Sequence, residues 1–147
     1  MVSMLFACIC SHTGFSIESP LLAIVWHLPF FRSLFAFPWV CNAPLDMCAY
    51  GLRDPSVGSA DFWKKPSRIV AWSRDFDVLA KKCDKTHVHG DLGRRQLIVL
   101  PNGARKSKIE VAGTYTPPFC RALVSAAGAA AREARWWKEG IVGPRCS

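Results

Sequence analysis

The sequence predicts an α/β or α+β fold: a short mixed sheet with a kinked helix on its N-terminal side and a long helix at its C-terminal end. Three observations carry this. After Thr116-Pro117, the residues Phe119, Leu123, Ala126, Ala127, Ala130, Ala134 and Trp137 recur near one face of a helix. "SRIVAWS" (67–73) and "RQLIVLP" (95–101) are short apolar runs closed by polar residues or proline, the pattern of strands. Ahead of both, Leu21, Leu22, Ile24, Val25 and Leu28 follow Ser19-Pro20 at helical spacing until Pro29 interrupts the ladder.

Taken in chain order, Ser19 reads as an N-cap and Pro20 as the first helical position, giving a helix over about 20–35 with a break at Pro29. "FPWVCNAPLDMC" holds too many prolines for a helix and enough β-branched and aromatic residues for short strands near Val40 and Met47. "GLRDPSVGSADFWKKP" reads as a loop. In "PNGARKSK" the Asn-Gly pair tolerates the positive φ angles of a hairpin turn, and "KIEVAGTYT" is the expected returning strand. The last helix is expected from about 117 to 139, capped by Thr116 and stopped by Gly140, with Arg132, Glu133, Arg135, Lys138 and Glu139 on a solvated face. No internal repeat interrupts this order.

At 147 residues the chain has the size of one domain, 1–147, with its core over about 15–140. Half the residues are hydrophobic and a fifth are charged, which excludes a disordered segment. The longest apolar stretch contains Glu18, His27 and Arg32 as well as Pro20, Pro29 and Pro38, so no membrane-spanning helix is expected. The start "MVSMLFACIC" has no Lys or Arg ahead of its apolar run, and "SHTG" is a poor cleavage site, which argues against a signal peptide. Seven cysteines, an odd count, then favour a reducing, intracellular compartment, nuclear or cytoplasmic, where thiols bind metal or are simply buried.

Charge is uneven. Residues 1–60 carry two basic and three acidic side chains, and residues 61–147 carry seventeen and eight, so the net +8 arises in the second half. Such an asymmetry suits a polyanion, DNA or RNA. The candidate phosphate contacts are Lys64, Lys65 and Arg68 in "FWKKPSR" and Arg105, Lys106 and Lys108 in "GARKSK", with Trp63 or Trp72 as stacking platforms. The competing reading is a solvated basic surface over a core that uses both tryptophans.

Cys83, His87 and His89 form the compact half of a tetrahedral zinc site, and Cys48 and Cys120 are the candidate distant partners. The competing reading makes both distant cysteines small core residues.

Five stretches, "FSIESPLLAIVWHLPFFRSLF", "LDMCAYG", "KKPSRIVAWS", "CDKTHVHGDLG" and "YTPPFCRAL", resemble in order and character a group of uncharacterised open reading frames of dinoflagellate genomes, often found beside mobile-element genes. Longer members of that group resemble cytosine-C5-methyltransferases. The resemblance implies that the chain is the C-terminal part of a larger methyltransferase-like domain, with Glu18 in the place of the glutamate that contacts the cytosine ring. It also implies a metal set of Cys48, Cys83, His89 and Cys120, with His87 the less regular member. Against the pattern, Ser19 replaces an asparagine, no Pro-Cys nucleophile segment is present, and no Gly-x-Gly loop follows an early strand. The expectation is therefore a fragment or remnant, inactive alone, needing S-adenosylmethionine only if a missing N-terminal half is supplied. The alternatives are a zinc-stabilised nucleic-acid-binding module and a non-functional product of a mobile element.

Overall fold

In the computed structural model, residues 14–56, 59–92 and 96–138 are described. The central strand is β4 (Pro66–Ala71), paired antiparallel on one side with β1 (Ser16–Pro20) and on the other with β2 (Cys41–Asp46). Alternation assigns the two faces. Ile69 and Ala71 of β4 join Cys41, Ala43 and Leu45 of β2 in the main core, while Val70 enters a second cluster with Trp26, Phe31, Leu34 and Val40. Prolines sit where a missing N–H is tolerated: Pro20 and Pro44 on the edge strands and Pro66 at the first position of β4.

Each face has its own helical cover. The second cluster is closed by a 3-10 turn (Ile24–His27) and helix α1 (Pro29–Leu34). The main core is closed by a 3-10 segment (Arg74–Leu79), which supplies Phe76 and Leu79, and by the last helix α3 (Pro117–Lys138), which supplies Phe119, Ala126 and Ala130. The rest is peripheral: β3 (Phe62–Trp63) pairs in parallel with β5 (His89–Gly90), and β6 (Leu97–Val99) forms a hairpin with β7 (Arg105–Ser107), followed by helix α2 (Lys108–Ala112).

The mixed α/β class holds, and three elements differ from the sequence reading. Ser19 and Pro20 do not start a helix. They lie in β1, opposite Arg68 and Ser67, and the helical part that follows is split at Leu28, whose ψ of 141° is extended. A residue before proline is pushed out of the α region, so Pro29 opens α1 at its first turn instead of kinking a longer helix. The apolar periodicity there misleads because Leu22 and Ile24 are exposed. The strand expected near Met47 is a 3-10 turn (Met47–Tyr50) closed by Gly51 at φ 80°, while the strand near Val40 is β2. The returning strand is not 108–116. It is β7, directly after the Asn102-Gly103 turn, because Ser107 accepts the Glu110 N–H at 3.1 Å and starts α2.

Helix α3 follows its sequence signals. The Thr116 hydroxyl accepts the Phe119 N–H at 3.4 Å and donates to the Tyr50 carbonyl at 2.7 Å, and Pro117 opens the first turn. Ala127 is exposed, while the side chains of Ala134 and Trp137 and the stop at Gly140 lie outside the described residues, as does the N-terminal segment with Cys8 and Cys10. Among the described residues no helix is long and apolar enough to cross a membrane.

Phe119, 1% exposed, packs edge-on against Tyr50 and anchors α3 to the sheet. Phe119→Ala is expected to destabilise the protein by about 3–5 kcal/mol in urea unfolding, against about 0.5 kcal/mol or less for the exposed Val124→Ala. A loss below about 1 kcal/mol for Phe119→Ala would mean that α3 does not depend on this contact.

Candidate metal centre

Four side chains, Cys48, Cys83, His87 and His89, bring one ligand atom each to within 4.8 Å of one another, and together they can hold a metal ion. The scaffold explains why they meet. Strand β2 ends at Asp46, and the 3-10 turn that follows buries the Cys48 side chain. The Gly51 N–H donates to the Cys48 carbonyl at 2.9 Å, and the left-handed conformation of Gly51, at φ 80°, lets the Leu52 N–H return to the Met47 carbonyl at 3.2 Å. Asp46 then collects the distant half: its N–H donates to the Lys81 carbonyl at 2.8 Å, and its carboxylate accepts the Cys83 N–H at 3.0 Å.

The histidines arrive on an extended segment. Period-two alternation puts His87 and His89 on one side and leaves Val88 73% exposed on the other. Pairing fixes the segment in place, because the Phe62 N–H donates to the Val88 carbonyl at 3.0 Å and Phe62 stands opposite His89. The His87 ring also lies 4.1 Å from the Phe62 ring, which carries the Arg53 guanidinium on it at 4.1 Å.

The distances suit a tetrahedral ion. Cys83 Sγ is 3.6 Å from His87 Nε2 and 3.4 Å from His89 Nε2. Bonds of about 2.3 Å to sulfur and about 2.05 Å to nitrogen imply a sulfur–nitrogen edge of about 3.6 Å. The surroundings position the ligand atoms. The Lys85 N–H points to Cys83 Sγ at 3.3 Å, with Lys85 itself at φ 64°, a left-handed turn by a non-glycine residue. Asp84 Oδ1 sits 3.6 Å from His87 Nδ1 and orients Nε2 toward the site. Hydrogen bonds from Thr86 hold the Asp84 carboxyl below its usual range. Burial, with Cys83 beside it, pushes the Cys48 thiol up to about 11, so a cation is needed to make it a thiolate at neutral pH.

This set differs from the predicted one at a single position. Cys48, Cys83 and His89 converge, but Cys120 does not join them. Phe119 takes the inward position of the first turn of α3, and the next residue is rotated by about 100°, which leaves Cys120 exposed. His87 takes the fourth place. The histidine spacing already carried that signal: two histidines at i and i+2 of an extended segment share a side, whereas the motif resemblance favoured Cys120. Asp46 and Asp84, which position the ligands, were not anticipated.

Glu18 lies on β1, where the Tyr115 hydroxyl donates to Oε2 at 2.8 Å and Lys65 Nζ stands 3.8 Å from Oε1. It lines a small cavity of about 200 Å³ with Ile69, Phe119 and Leu123. Of the six basic residues proposed from the sequence as phosphate contacts, four are engaged within the fold. Lys65 pairs with Glu18, and Arg68 sits over the rings of Trp26 and Phe35. Lys106 pairs with Glu110, and Lys108 donates to the Asp91 carbonyl at 3.0 Å and approaches Asp54. Lys64 and Arg105 remain exposed. Trp63 is fully buried and cannot stack on a base, and Trp72 packs against the main core.

No protein-family model, curated protein or solved structure matches the chain. Its function must be read from the site itself.

The contact of Tyr115 with Glu18 has a pH signature. Burial first, then the Glu18 carboxylate, pushes the Tyr115 phenol up to about 12. The folded state thus keeps a proton that the unfolded chain loses near pH 10, so this group's stabilisation is complete below about pH 10 and disappears as pH rises to about 12. The stability difference between the wild type and Tyr115→Phe is therefore expected to narrow across that interval in urea midpoints. A difference that stays constant would mean that the phenol proton is not held by the fold.

Proposed function

We propose that the protein is a zinc-stabilised module whose metal organises a loop rather than performs chemistry. The observation that carries this is the convergence of two thiols and two imidazoles within 4.8 Å. Two sulfur and two nitrogen donors at tetrahedral spacing suit zinc above harder cations, which take oxygen ligands. Four protein ligands fill the coordination sphere, and a catalytic zinc would keep one position open for water or substrate. The site joins the turn after β2 to a loop held at its start by Asp46 and at its histidines by the two-residue ladder between β3 and β5.

The motif order that resembles the C-terminal part of cytosine-C5-methyltransferase-like proteins supports a reading of descent: a fragment or remnant of such an enzyme, without methyl transfer of its own. Glu18 would be its nearest link to that chemistry. The hydrogen bond from Tyr115 and the ion pair with Lys65 favour a structural role for it, tying β1 to the segment before α3 and to the start of β4. The zinc-module reading has the stronger support, because it rests on geometry and not on motif order.

Purified protein is expected to carry about one zinc per chain by elemental analysis, and cobalt substitution should give the absorption of a tetrahedral sulfur–nitrogen site. Cys83→Ser and His87→Ala are expected to lose the metal, and Cys120→Ser to keep it. Asp84→Asn should weaken affinity by about 10- to 100-fold through the orientation of His87. Stoichiometric metal in His87→Ala, or its loss in Cys120→Ser, would overturn the ligand set. Protein free of metal after expression with added zinc would overturn the reading itself.

A further inference from the structure

We propose that the face beside the metal centre binds the phosphodiester backbone of a nucleic acid, through Arg53, Lys81 and Lys82. This rests on the zinc-module reading, because the metal holds the loop that completes the face. An open depression of about 550 Å³ lies against the centre, lined among others by Gly51, Phe62, Lys81, Lys82, Asp84 and His87. Its volume admits a nucleotide unit without rearrangement of the core. Lys81 and Lys82 are exposed on its rim, and Lys81 Nζ rests 5.0 Å above the Tyr50 ring. Arg53, also exposed, lies flat on Phe62 at 4.1 Å, and a stacked guanidinium keeps its N–H fork free for phosphate oxygens. Where a side chain would project from Gly51, no atom lies within 4 Å, so the backbone there is open to approach by a ligand.

Cations outnumber the acids that face this region. Asp84 lines the depression and keeps its negative charge, with its Oδ1 accepting both the Thr86 N–H and hydroxyl and facing His87, and it offsets one of the three cations. Asp46 is buried below and accepts the Cys83 N–H. Asp54 accepts the Ser56 N–H and approaches Lys108. A zinc ion with two thiolates and two neutral imidazoles has no net charge, so the centre leaves the field of the rim intact. Three cations around an open depression with an aromatic floor suit a chain of phosphates better than a single carboxylate.

The test is fluorescence anisotropy of the zinc-loaded full chain with a labelled single-stranded DNA, the RNA of the same sequence and the corresponding duplex. Three phosphate contacts predict a log–log salt slope of about −2 for single strands and about −2.7 for the duplex, so affinity should fall about 20- to 40-fold between 50 and 200 mM salt. Lys81→Gln with Lys82→Gln should reduce the slope to about −1 while zinc content and melting temperature stay unchanged. Arg105→Gln with Lys106→Gln should leave it as in the wild type. Absence of binding at 50 mM salt, or a slope unaffected by the Lys81 and Lys82 changes, would overturn the proposal with the zinc reading intact. Competition by free pyrophosphate at the same concentration of phosphate groups would show a small-anion site and overturn the polymer. Metal-free protein with a normal slope would separate the two readings, removing the metal's part and keeping the face.

Discussion

Asp46 ties together the two halves of the site, and the rest of the structure depends on that tie. It is the last residue of β2, 7% exposed, and it holds the chain at Lys81 through its own N–H and at Cys83 through its carboxylate. A hydrogen bond to a charged acceptor contributes about 1.5–3 kcal/mol, and a buried carboxylate without its donor would cost more than that to keep ionised. Two further bonds converge on the adjacent turn. The Tyr50 hydroxyl donates to the Leu79 carbonyl at 3.0 Å, and the Thr116 hydroxyl donates to the Tyr50 carbonyl. The turn at Met47–Tyr50 is thus the joint of the sheet, the segment at Arg74–Leu79, the metal loop and α3.

The two parts of the molecule are stabilised by different means. The central sheet, α1, α3 and the end of β3 bury large side chains: Phe31, Leu45, Trp63, Ile69 and Phe119 are almost wholly enclosed. Between Ala80 and Leu92 no residue is buried, so that stretch has no core of its own to fix it. It holds instead two-residue β pairing, the bonds of Lys81 and Cys83 to Asp46, the Asx-type contacts of Asp84 and three potential ligands that face Cys48. A metal ion held by these side chains and Cys48 would supply what burial does not, a strong and directional cross-link between distant residues. The same logic separates a closed site from a catalytic one: where the ion replaces a core, every coordination position is used for the fold.

The parts of this arrangement that were legible in the sequence are those set by local chemistry. Thr116-Pro117 began a helix, the Asn-Gly pair turned a hairpin, and the apolar run 67–73 became the central strand. The parts that were not legible depended on tertiary pairing. Ser19-Pro20 has the composition of a helix start, but pairing with Arg68 and Ser67 along β4 holds it extended. Lys108–Ala112 reads as a strand by composition, and the Ser107 cap with Glu110 three residues on overrides it, a signal that was present and outweighed. In the metal centre, spacing identified Cys83, His87 and His89 as a unit, and motif order replaced His87 with Cys120. The error is instructive because order along a chain says nothing about helix phase, and phase is what turns Cys120 to solvent.

Charge shows the same gap between composition and surface. The basic second half suggested a continuous strip, yet Lys65, Arg68, Lys106 and Lys108 each answer to a carboxylate, a carbonyl or a ring inside the fold. What remains free is set by which side chains the core does not need, and several of these lie around the metal loop, where little is buried. There a bound ion would affect geometry more than charge. With metal, two thiolates offset the dication. Without it, burial keeps Cys48 protonated, its thiol pushed up to about 11. The electrostatic cost of emptying such a site would thereby be reduced, and the main consequence would be positional: the histidines and Lys85 would lose their link to Cys48, while Asp46 would still hold the chain at Lys81 and Cys83. A structural metal can in this way govern an interaction surface without contributing a charge to it.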